Sequence, residues 1–208
     1  MLVKICGLST ADTLDAAVRH GASHVGFVFF PPSPRHVDLE RAAALAARTP
    51  GHVRKVGVFV NPEPELVARA CDAARLDAMQ LHRTAPTEVA ALRHVGVEIW
   101  AAVAVRTRAD LAVANDHVGA ADRIVYDAKT PDGAALPGGM GLRFDWALLD
   151  GVRHPLPWAL SGGLDSGNVG EAIRRTGAAM VDVSSGVESA PGRKDVDKIA
   201  AFLQAALA

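Results

Sequence analysis

The chain is poor in cysteine and has no long apolar run, and each of these absences excludes a class of protein. Its 208 residues contain two cysteines, Cys6 and Cys71, so we expect two free thiols and no disulfide framework. No apolar run approaches the ~20 residues that a bilayer-spanning helix needs. A leader with a charged start, an apolar middle and a cleavage site is also missing before the first predicted strand. We therefore expect a soluble, cytoplasmic protein with no membrane partner.

The sequence also lacks an excess of positive or negative charge. The sequence has 22 lysines and arginines against 23 aspartates and glutamates, a formal net charge of -1, and no basic run stands out. A protein that binds nucleic acid through a broad basic surface is therefore not expected. The composition, 50% hydrophobic and 22% charged, is that of an ordinary globular protein. The length favours one domain with a core of its own, over residues 1–208.

Short β-rich runs alternate along the chain with segments rich in alanine, leucine and charged residues. The β-rich runs are LVKIC (2–6), HVGFVFF (24–30), RKVGVFV (54–60), DAMQLH (77–82), EIWAAVAV (98–105), DRIVYD (122–127), PWALSGG (157–163) and AMVDVSS (179–185). Eight strands that are each followed by a segment of helical length predict a single-domain α/β fold, the (β/α)8 TIM barrel. An open, doubly wound sheet is the alternative.

Residues with capping preferences mark the limits of two predicted helices. Thr10 is expected to begin the first helix and Gly21 to end it. Asp165 or Ser166 is expected to begin the seventh helix, and Gly177 to end it. The longest irregular stretch is AKTPDGAALPGGMG, residues 128–141, after the sixth strand, and loops of that length in compact domains are usually functional.

Polar residues collect at the carboxyl ends of the predicted strands, where barrels of this type have their active site. These residues are Cys6, Gln80, His82, Asp127, Ser161, Asp182, Ser184 and Ser185. Because alternate residues of a strand face the barrel interior, Lys4 shares a face with Cys6. The first and last strands are neighbours in a closed barrel, and an unpaired buried lysine is costly. We therefore expect Lys4 to pair with Asp182.

Small residues follow the last two strands, at the position where barrels commonly bind phosphate. The runs LSGGLDSGN (160–168) and VSSGVESAPG (183–192) expose backbone N–H groups, and a helix start behind such groups favours an anion. Either glycine loop alone is equally typical of a tight turn. Together they predict a phosphate site formed by Gly162, Gly163, Ser184, Ser185 and Gly186.

Cys6 and Asp127 are the candidates for proton transfer. A cysteine at the mouth acts as a base or nucleophile if a nearby cation favours its thiolate, but a free cysteine is also commonly a small buried apolar residue. Asp127 acts as a general acid if burial raises its pKa, but an aspartate there also caps turns. The two residues end the first and sixth strands, on opposite sides of the mouth. That placement suits an acid and a base acting on different faces of one substrate.

Further side chains are candidates for substrate binding. Arg35, in the proline-rich PPSPRHV after the second strand, either clamps a carboxylate through its guanidinium or lies on the surface. Gln80 and His82 share a face of the fourth strand, and the other histidines are not expected in the mouth. None of the histidines has the spacing of metal ligands, so no metal is expected. The predicted substrate-binding set is Lys4, Arg35, Gln80, His82 and Asp182.

Six motifs run through the chain: KICG (4–7), GFVFFPPSPR (26–35), KVGVFVN (55–61), QLH (80–82), LSGGL..GNV (160–169) and VDVSSGVE..PGRKD (181–195). Together they closely resemble the phosphoribosylanthranilate isomerases of tryptophan biosynthesis. The resemblance implies an Amadori rearrangement of N-(5-phosphoribosyl)anthranilate to 1-(2-carboxyphenylamino)-1-deoxyribulose 5-phosphate, without metal or organic cofactor. It implies a small phosphoribosyl molecule as the partner, and the sequence leaves open a monomer or a homodimer.

The resemblance also implies roles for individual residues. Cys6 is implied to be the general base that takes the proton from C2 of the ribose. Asp127 is implied to be the general acid that protonates the ring oxygen and opens the furanose to a Schiff base. Arg35 is implied to hold the anthranilate side, and Asp182 to help position the substrate. The phosphate loops are implied to include Gly163, Ser185 and Gly186.

Three positions depart from the family pattern. Arg83 follows QLH where the family usually has glycine, and Met140 stands in GGMG where a threonine is usual. Tyr126 precedes Asp127 where an aliphatic residue is usual, and by alternation its side chain should point into the helix layer. None of the three is one of the acid–base pair, so they bear on loop closure and substrate breadth more than on the type of reaction.

Two other functions remain as alternatives. An isomerase of the histidine-pathway phosphoribosyl substrate, or of both substrates, carries out the same chemistry, but that family typically uses paired aspartates and needs a second phosphate site. A catalytically silent phosphosugar-binding barrel needs neither Cys6 nor Asp127. The presence of both residues favours the isomerase.

Overall fold

The computed structural model is a barrel of eight parallel strands, closed by pairing between the first strand and the last. It describes residues 1–131, 133–134, 136 and 138–208. The strands are β1 Leu2–Cys6, β2 His24–Val28, β3 Arg54–Val60, β4 Ala78–His82, β5 Glu98–Val105, β6 Arg123–Ala128, β7 Trp158–Leu160 and β8 Met180–Val183. All eight predicted strands and the (β/α)8 topology are confirmed, and the open sheet is excluded.

Six α-helices pack around the strands in the described part of the chain. They are α1 Ala11–Arg19, α2 Leu39–Arg48, α3 Pro64–Ala74, α4 Pro86–Ala91, α5 Val169–Thr176 and α6 Val196–Leu207. The expected helix after every strand is wrong at two places, because 3-10 helices over Arg108–His117 and Trp146–Leu149 follow β5 and β6. After β6, Gly139 and Gly141 both adopt positive φ angles, which an α-helix does not accommodate.

The predicted helix limits are partly correct. Thr10 stands at the N-cap position of α1, and Gly21 follows the C-terminal end of that helix with φ +94°. Gly177 ends α5 in the left-handed conformation, as expected. The predicted start of that helix, Asp165 or Ser166, is wrong by two or three residues, because the Asp165 carboxylate accepts hydrogen bonds from the backbone N–H groups of Gly167 and Asn168. This turn delays the helix until Val169.

Apolar side chains close the barrel interior towards the amino ends of the strands. Trp100 is fully buried there and packs with smaller apolar residues of the other strands. Polar side chains occupy the interior above this layer, with Lys4, Gln80 and Asp182 all buried. The interior therefore presents its reactive groups at the carboxyl ends of the strands, where the mouth opens.

The outer core lies between the strands and the helices. Tyr126 points into this layer, as predicted: its hydroxyl lies 3.2 Å from Nδ1 of His154, and its ring is 5.7 Å from that of Trp158. Cys71 is buried on the inner face of α3, and both cysteines are free thiols, as expected. In the described chain, none of the helices has the length and apolar character needed to cross a membrane.

A hairpin that the sequence did not predict follows β8. After a 3-10 turn over Ser185–Val187, the strands β9 Glu188–Ala190 and β10 Arg193–Lys194 pair in antiparallel register. Glu188 lies opposite Lys194 in this pairing, and both side chains are buried against the barrel mouth. The hairpin thus adds two charged groups to the region of the predicted site.

Candidate active site

A cavity occupies the mouth of the barrel. Of the predicted site residues, it is lined by Cys6, Arg35, Gln80, His82, Asp127, Asp182 and Ser184. A second cavity adjoins it and is lined by Gly162, Gly163 and Ser185, with Asp127, Asp182 and Ser184 shared between the two. The structure therefore brings the candidates for proton transfer and for phosphate binding together.

Two predicted site residues lie outside these cavity walls. Lys4 is fully buried beneath the mouth. Gly186 packs directly against the backbone carbonyl of Leu164, where a side chain would collide. Its geometry fits a close approach of the two loops that follow β7 and β8, and it lines neither cavity.

Lys4 is the centre of a polar network below the mouth. Its Nζ donates hydrogen bonds of 2.9 Å to Oδ1 of Asp182 and of 2.9 Å to Oε1 of Gln80, so the predicted pair is confirmed. Gln80 continues the network through a 3.0 Å contact with Nε2 of His82. Burial alone lowers the pKa of Lys4, but the Asp182 carboxylate and Cys6 hold it above its ordinary value. The ammonium group therefore stays charged.

Cys6 ends β1 with its thiol facing the cavity and 7% of the residue exposed. Burial raises the pKa of the thiol above its ordinary value and Asp182 adds to the rise, while the ammonium groups of Lys4 and Lys194 oppose it. Gly26 on β2 leaves room beside the thiol, since a Cβ there would lie 3.1 Å from Sγ. Burial thus favours the protonated thiol, and the two cations favour the thiolate.

Asp127 faces the cavity from β6. Burial and the charge of Asp182 raise the pKa of its carboxyl to about 7, against a backbone hydrogen bond from Ala128 and the charge of Lys4. Gly138 and Gly162 approach its two carboxyl oxygens closely: a Cβ at position 138 would collide with Oδ2, and a Cβ at position 162 would lie 3.1 Å from Oδ1 and 2.7 Å from the backbone nitrogen of Ala128. A carboxyl group in this state carries a proton near neutrality and can donate it.

Arg35 is buried, so the alternative of a surface arginine is wrong. Its Nε and Nη2 donate to the Glu188 carboxylate at 2.7 and 2.8 Å, and Nη2 also donates to the Gly139 carbonyl at 2.9 Å. Lys194 donates to the same carboxylate at 2.8 Å and to the Ser184 carbonyl at 2.8 Å. Sequence reasoning missed Glu188 and Lys194, although both belong to the motif VDVSSGVE..PGRKD.

His82 lines the main cavity beside Gln80. Burial, with the charges of Lys4 and Arg83, lowers the pKa of His82 to about 4, so its ring is neutral at physiological pH. A neutral ring accepts or donates hydrogen bonds but adds no charge to the site. In the residues that the structure describes, no cluster of three histidine, cysteine, aspartate or glutamate side chains could hold a metal ion.

The departures from the family pattern lie at the edge of the mouth. Arg83 adopts a left-handed backbone with φ +53°, and its Nη2 donates to the Ala134 carbonyl at 3.2 Å. Met140 is 48% exposed. The predicted long loop, residues 128–141, includes positions 132, 135 and 137, which lie outside the described residues. Within the described part, Gly138 and Gly139 line the main cavity.

Comparison with known proteins agrees with this geometry. A family model described as N-(5'phosphoribosyl)anthranilate (PRA) isomerase matches residues 3–205. A relative from Zymomonas mobilis subsp. mobilis, named N-(5'-phosphoribosyl)anthranilate isomerase, is 55% identical over 97% of this chain and 96% of its own. A relative of the same name from Paramagnetospirillum magneticum is 50% identical over 98% of this chain and 96% of its own.

Solved structures give the same result. The phosphoribosyl anthranilate isomerase from Thermotoga maritima is 36% identical, with a TM-score of 0.85 over 100% of this chain and 99% of that one. A second structure, 33% identical, has a TM-score of 0.82 over 100% of this chain and 98% of that one. It is the same kind of isomerase in complex with reduced 1-(o-carboxyphenylamino)-1-deoxyribulose 5-phosphate. The chain belongs to the N-(5'-phosphoribosyl)anthranilate isomerase family.

Proposed function

We propose that the chain performs the Amadori rearrangement of its family, a step of tryptophan biosynthesis, with Cys6 as general base and Asp127 as general acid. The observation that carries the proposal is that the two side chains line one cavity from β1 and β6, on opposite sides of the barrel. A substrate bound between them has one side chain on each face. One side chain can then donate a proton to one substrate atom while the other removes a proton from a second atom.

Asp127 supplies the first proton. With a pKa of about 7, a large fraction of its carboxyl groups is protonated at neutral pH, whereas an ordinary aspartate is almost fully ionised. The proton passes to the furanose ring oxygen, the bond from that oxygen to C1 breaks, and a protonated Schiff base forms at C1. Asp127 is left as a carboxylate, which the Lys4 charge favours.

Cys6 takes the second proton. The iminium at C1 acidifies the C2–H bond, and the thiolate removes this proton to leave an enolamine. Protonation at C1 and loss of the O2 proton then give the amino ketone, so that the substrate and product are isomers. The thiolate must form against the effect of burial, and the nearby ammonium groups of Lys4 and Lys194 favour it.

The phosphate and the carboxylate of the substrate are proposed to bind on separate sides of the mouth. Gly162, Gly163 and Ser185 line the smaller cavity, and Gly162 and Gly163 both have positive φ angles, of +87° and +62°. Backbone N–H groups in such a concave loop bind phosphate. Arg35 is assigned to the anthranilate carboxylate. Its Nε–Nη2 edge is occupied by Glu188, so we assign the contact to Nη1.

The small phosphoribosyl molecule is the partner that this site fits, and we keep the expectation of a monomer or a homodimer. The Thermotoga maritima isomerase is described as dimeric, and monomers have been generated from it. A complete set of candidate residues comes from one chain here, since Cys6, Arg35 and Asp127 line a single cavity. Catalysis by a monomer is therefore the simplest expectation.

The test follows anthranilate fluorescence when purified protein meets freshly prepared N-(5'-phosphoribosyl)anthranilate, with Cys6→Ser and Asp127→Asn in parallel. We expect rapid loss of substrate fluorescence with the wild type and none above background with either variant. Substantial activity in a variant would reject the role of that residue. An inactive wild type would reject the proposal, and turnover of the histidine-pathway substrate would then favour the first alternative.

A further inference from the structure

The hairpin after β8 brings two buried charges against Arg35, and together the three residues form what we term the ion cluster: Arg35, Glu188 and Lys194. The Glu188 carboxylate accepts from Nε and Nη2 of Arg35 at 2.7 and 2.8 Å and from Nζ of Lys194 at 2.8 Å. The side chains are almost fully buried, with exposed fractions of 6% for Arg35, 4% for Glu188 and 1% for Lys194. At such burial, charges act on each other with little screening by water.

The cluster leaves Arg35 with one nitrogen for a ligand. Nη2 uses its two hydrogens on Glu188 and on the Gly139 carbonyl, and Nε uses its single hydrogen on Glu188. Among the described residues, Nη1 donates no hydrogen bond, in contrast to Nε and Nη2. Glu188 therefore fixes the plane of the guanidinium and leaves Nη1, with its two N–H donors, for a substrate group.

Charge balance explains why a lysine accompanies the pair. An isolated Arg35–Glu188 pair is neutral and attracts an anionic ligand weakly. Lys194 adds a second cation on the same carboxylate, so that one carboxylate lies between two cations and one positive charge remains over. Lys194 uses all three of its donors inside the protein, on Glu188 and on two oxygens of Ser184. It is therefore not itself a ligand contact.

We propose that Glu188 and Lys194 are positioning residues for recognition of the anthranilate carboxylate: Glu188 orients Arg35, and Lys194 offsets the charge of Glu188 so that Arg35 retains a net attraction for the carboxylate. The inference rests on the proposed function, because it takes Arg35 as the carboxylate contact. It adds that the selectivity for a carboxylate on the aromatic ring depends on two residues that do not themselves contact the substrate.

Binding of unreactive ligands tests this inference without interference from turnover. The first probe is reduced 1-(o-carboxyphenylamino)-1-deoxyribulose 5-phosphate, the ligand of the related structure. The second is the same compound without the ring carboxylate. Calorimetric Kd values for both probes give a carboxylate preference for each variant. A structural defect weakens both probes, whereas loss of the net charge weakens the first alone.

Four variants separate the charge effect from a packing effect. Lys194→Met is expected to weaken the carboxylate probe about tenfold and the other probe less than about twofold. Glu188→Gln combined with Lys194→Met restores one net positive charge, so we expect it to recover most of the preference. Lys194→Arg keeps the charge and the preference. Lys198→Met is the matched control, because Lys198 is exposed and its Nζ donates to the backbone carbonyl of Glu188 and not to its carboxylate.

The outcomes are distinct. A double variant that binds the carboxylate probe no better than Lys194→Met would overturn the charge argument, as would equal weakening of both probes. If Lys194→Met does not fold, the double variant and Lys194→Arg carry the test, and loss of the preference in either overturns the inference. Arg35→Gln distinguishes failure of this inference from failure of the proposed function. If Arg35→Gln loses the carboxylate preference and the Lys194 variants keep it, only this inference fails. If Arg35→Gln keeps the preference, or the wild type binds neither probe, the proposed function fails with it.

Discussion

Lys4 and Asp182 lie directly opposite each other at the seam where β1 meets β8, with 2.9 Å between Nζ and Oδ1. Both side chains are buried, and Lys4 has no exposed surface. Removal of one charge leaves the other without its partner in the interior, which typically costs 3–5 kcal/mol, so we predict that Asp182→Leu lowers the free energy of unfolding by about 3–5 kcal/mol. Urea unfolding followed by circular dichroism measures this loss.

The double variant Lys4→Met with Asp182→Leu is the control for this prediction. It leaves neither charge buried, so it should be more stable than Asp182→Leu alone even though it lacks two native side chains. Equal unfolding midpoints for Asp182→Leu and the wild type would contradict the predicted cost of leaving Lys4 buried without its partner.

The thiol at the end of β1 gives the second prediction. Cys6→Ser replaces Sγ by a hydroxyl that ionises far less readily, so we expect kcat to fall by at least about a hundredfold with the fold unchanged. Initial rates from substrate fluorescence, beside a circular dichroism spectrum, measure both. Cys71→Ser is the matched control, because Cys71 lies in α3, lines neither cavity and is buried, with a pKa of about 11. Equal losses in the two variants would contradict a specific role for Cys6.

Much of the fold could be predicted because its signals are local. A parallel strand buried on both faces is a short run of apolar and β-branched residues, and eight such runs stand out from the alanine-rich segments between them. Period-two alternation and barrel closure were then sufficient to pair Lys4 with Asp182 across 178 positions of the sequence. The same alternation correctly predicted that the Tyr126 side chain points out of the barrel, where its ring packs near that of Trp158.

The errors arose where local preference competed with a specific contact. The chain after β5 contains good helix formers, yet Asp110 caps Arg106 and Thr107 and the segment forms a 3-10 helix. Glu188 was missed because its contact with Arg35 joins residues 153 positions apart and depends on a hairpin with no sequence period of its own. The residues at strand ends and in the loops directly behind them could be predicted, because the topology fixes their position. The hairpin that orients Arg35 could not be predicted.

The raised pKa of Asp127 gives a prediction about stability and pH. Its carboxyl is harder to ionise in the folded protein, with a pKa of about 7, than in the unfolded chain, at its ordinary value of 3.8. The folded state therefore loses stability as the pH rises from about 4 to 7, by up to about 4 kcal/mol. Asp127→Asn is expected to abolish turnover and to gain stability over the wild type through this range, with a constant difference above it.

Thermal unfolding of both proteins between pH 4 and pH 8 measures this difference. Asp110→Asn is a control of opposite sign, because backbone hydrogen bonds hold the pKa of Asp110 at about 2. Its carboxylate stabilises the fold above pH 4, and that contribution disappears as the pH falls through 2. Asp110→Asn should therefore be less stable than the wild type at neutral pH. A stability difference for Asp127→Asn that does not change with pH would reject the burial argument.

Gly7 connects the base to the carboxylate subsite, since it follows Cys6 and supports the side chain of Arg35. It has a φ of +76°, and a Cβ there would lie 2.7 Å from Cδ of Arg35. Gly7→Ala therefore combines backbone strain with displacement of Arg35, and we expect kcat/KM to fall by about ten- to hundredfold. Gly96→Ala is the matched control, because Gly96 has a similar φ of +79° and no atom within 4 Å of the added Cβ. Both variants should lose about 1 kcal/mol of stability, and only Gly7→Ala should lose activity. If the two variants retain the same kcat/KM, the position of Arg35 does not control substrate recognition.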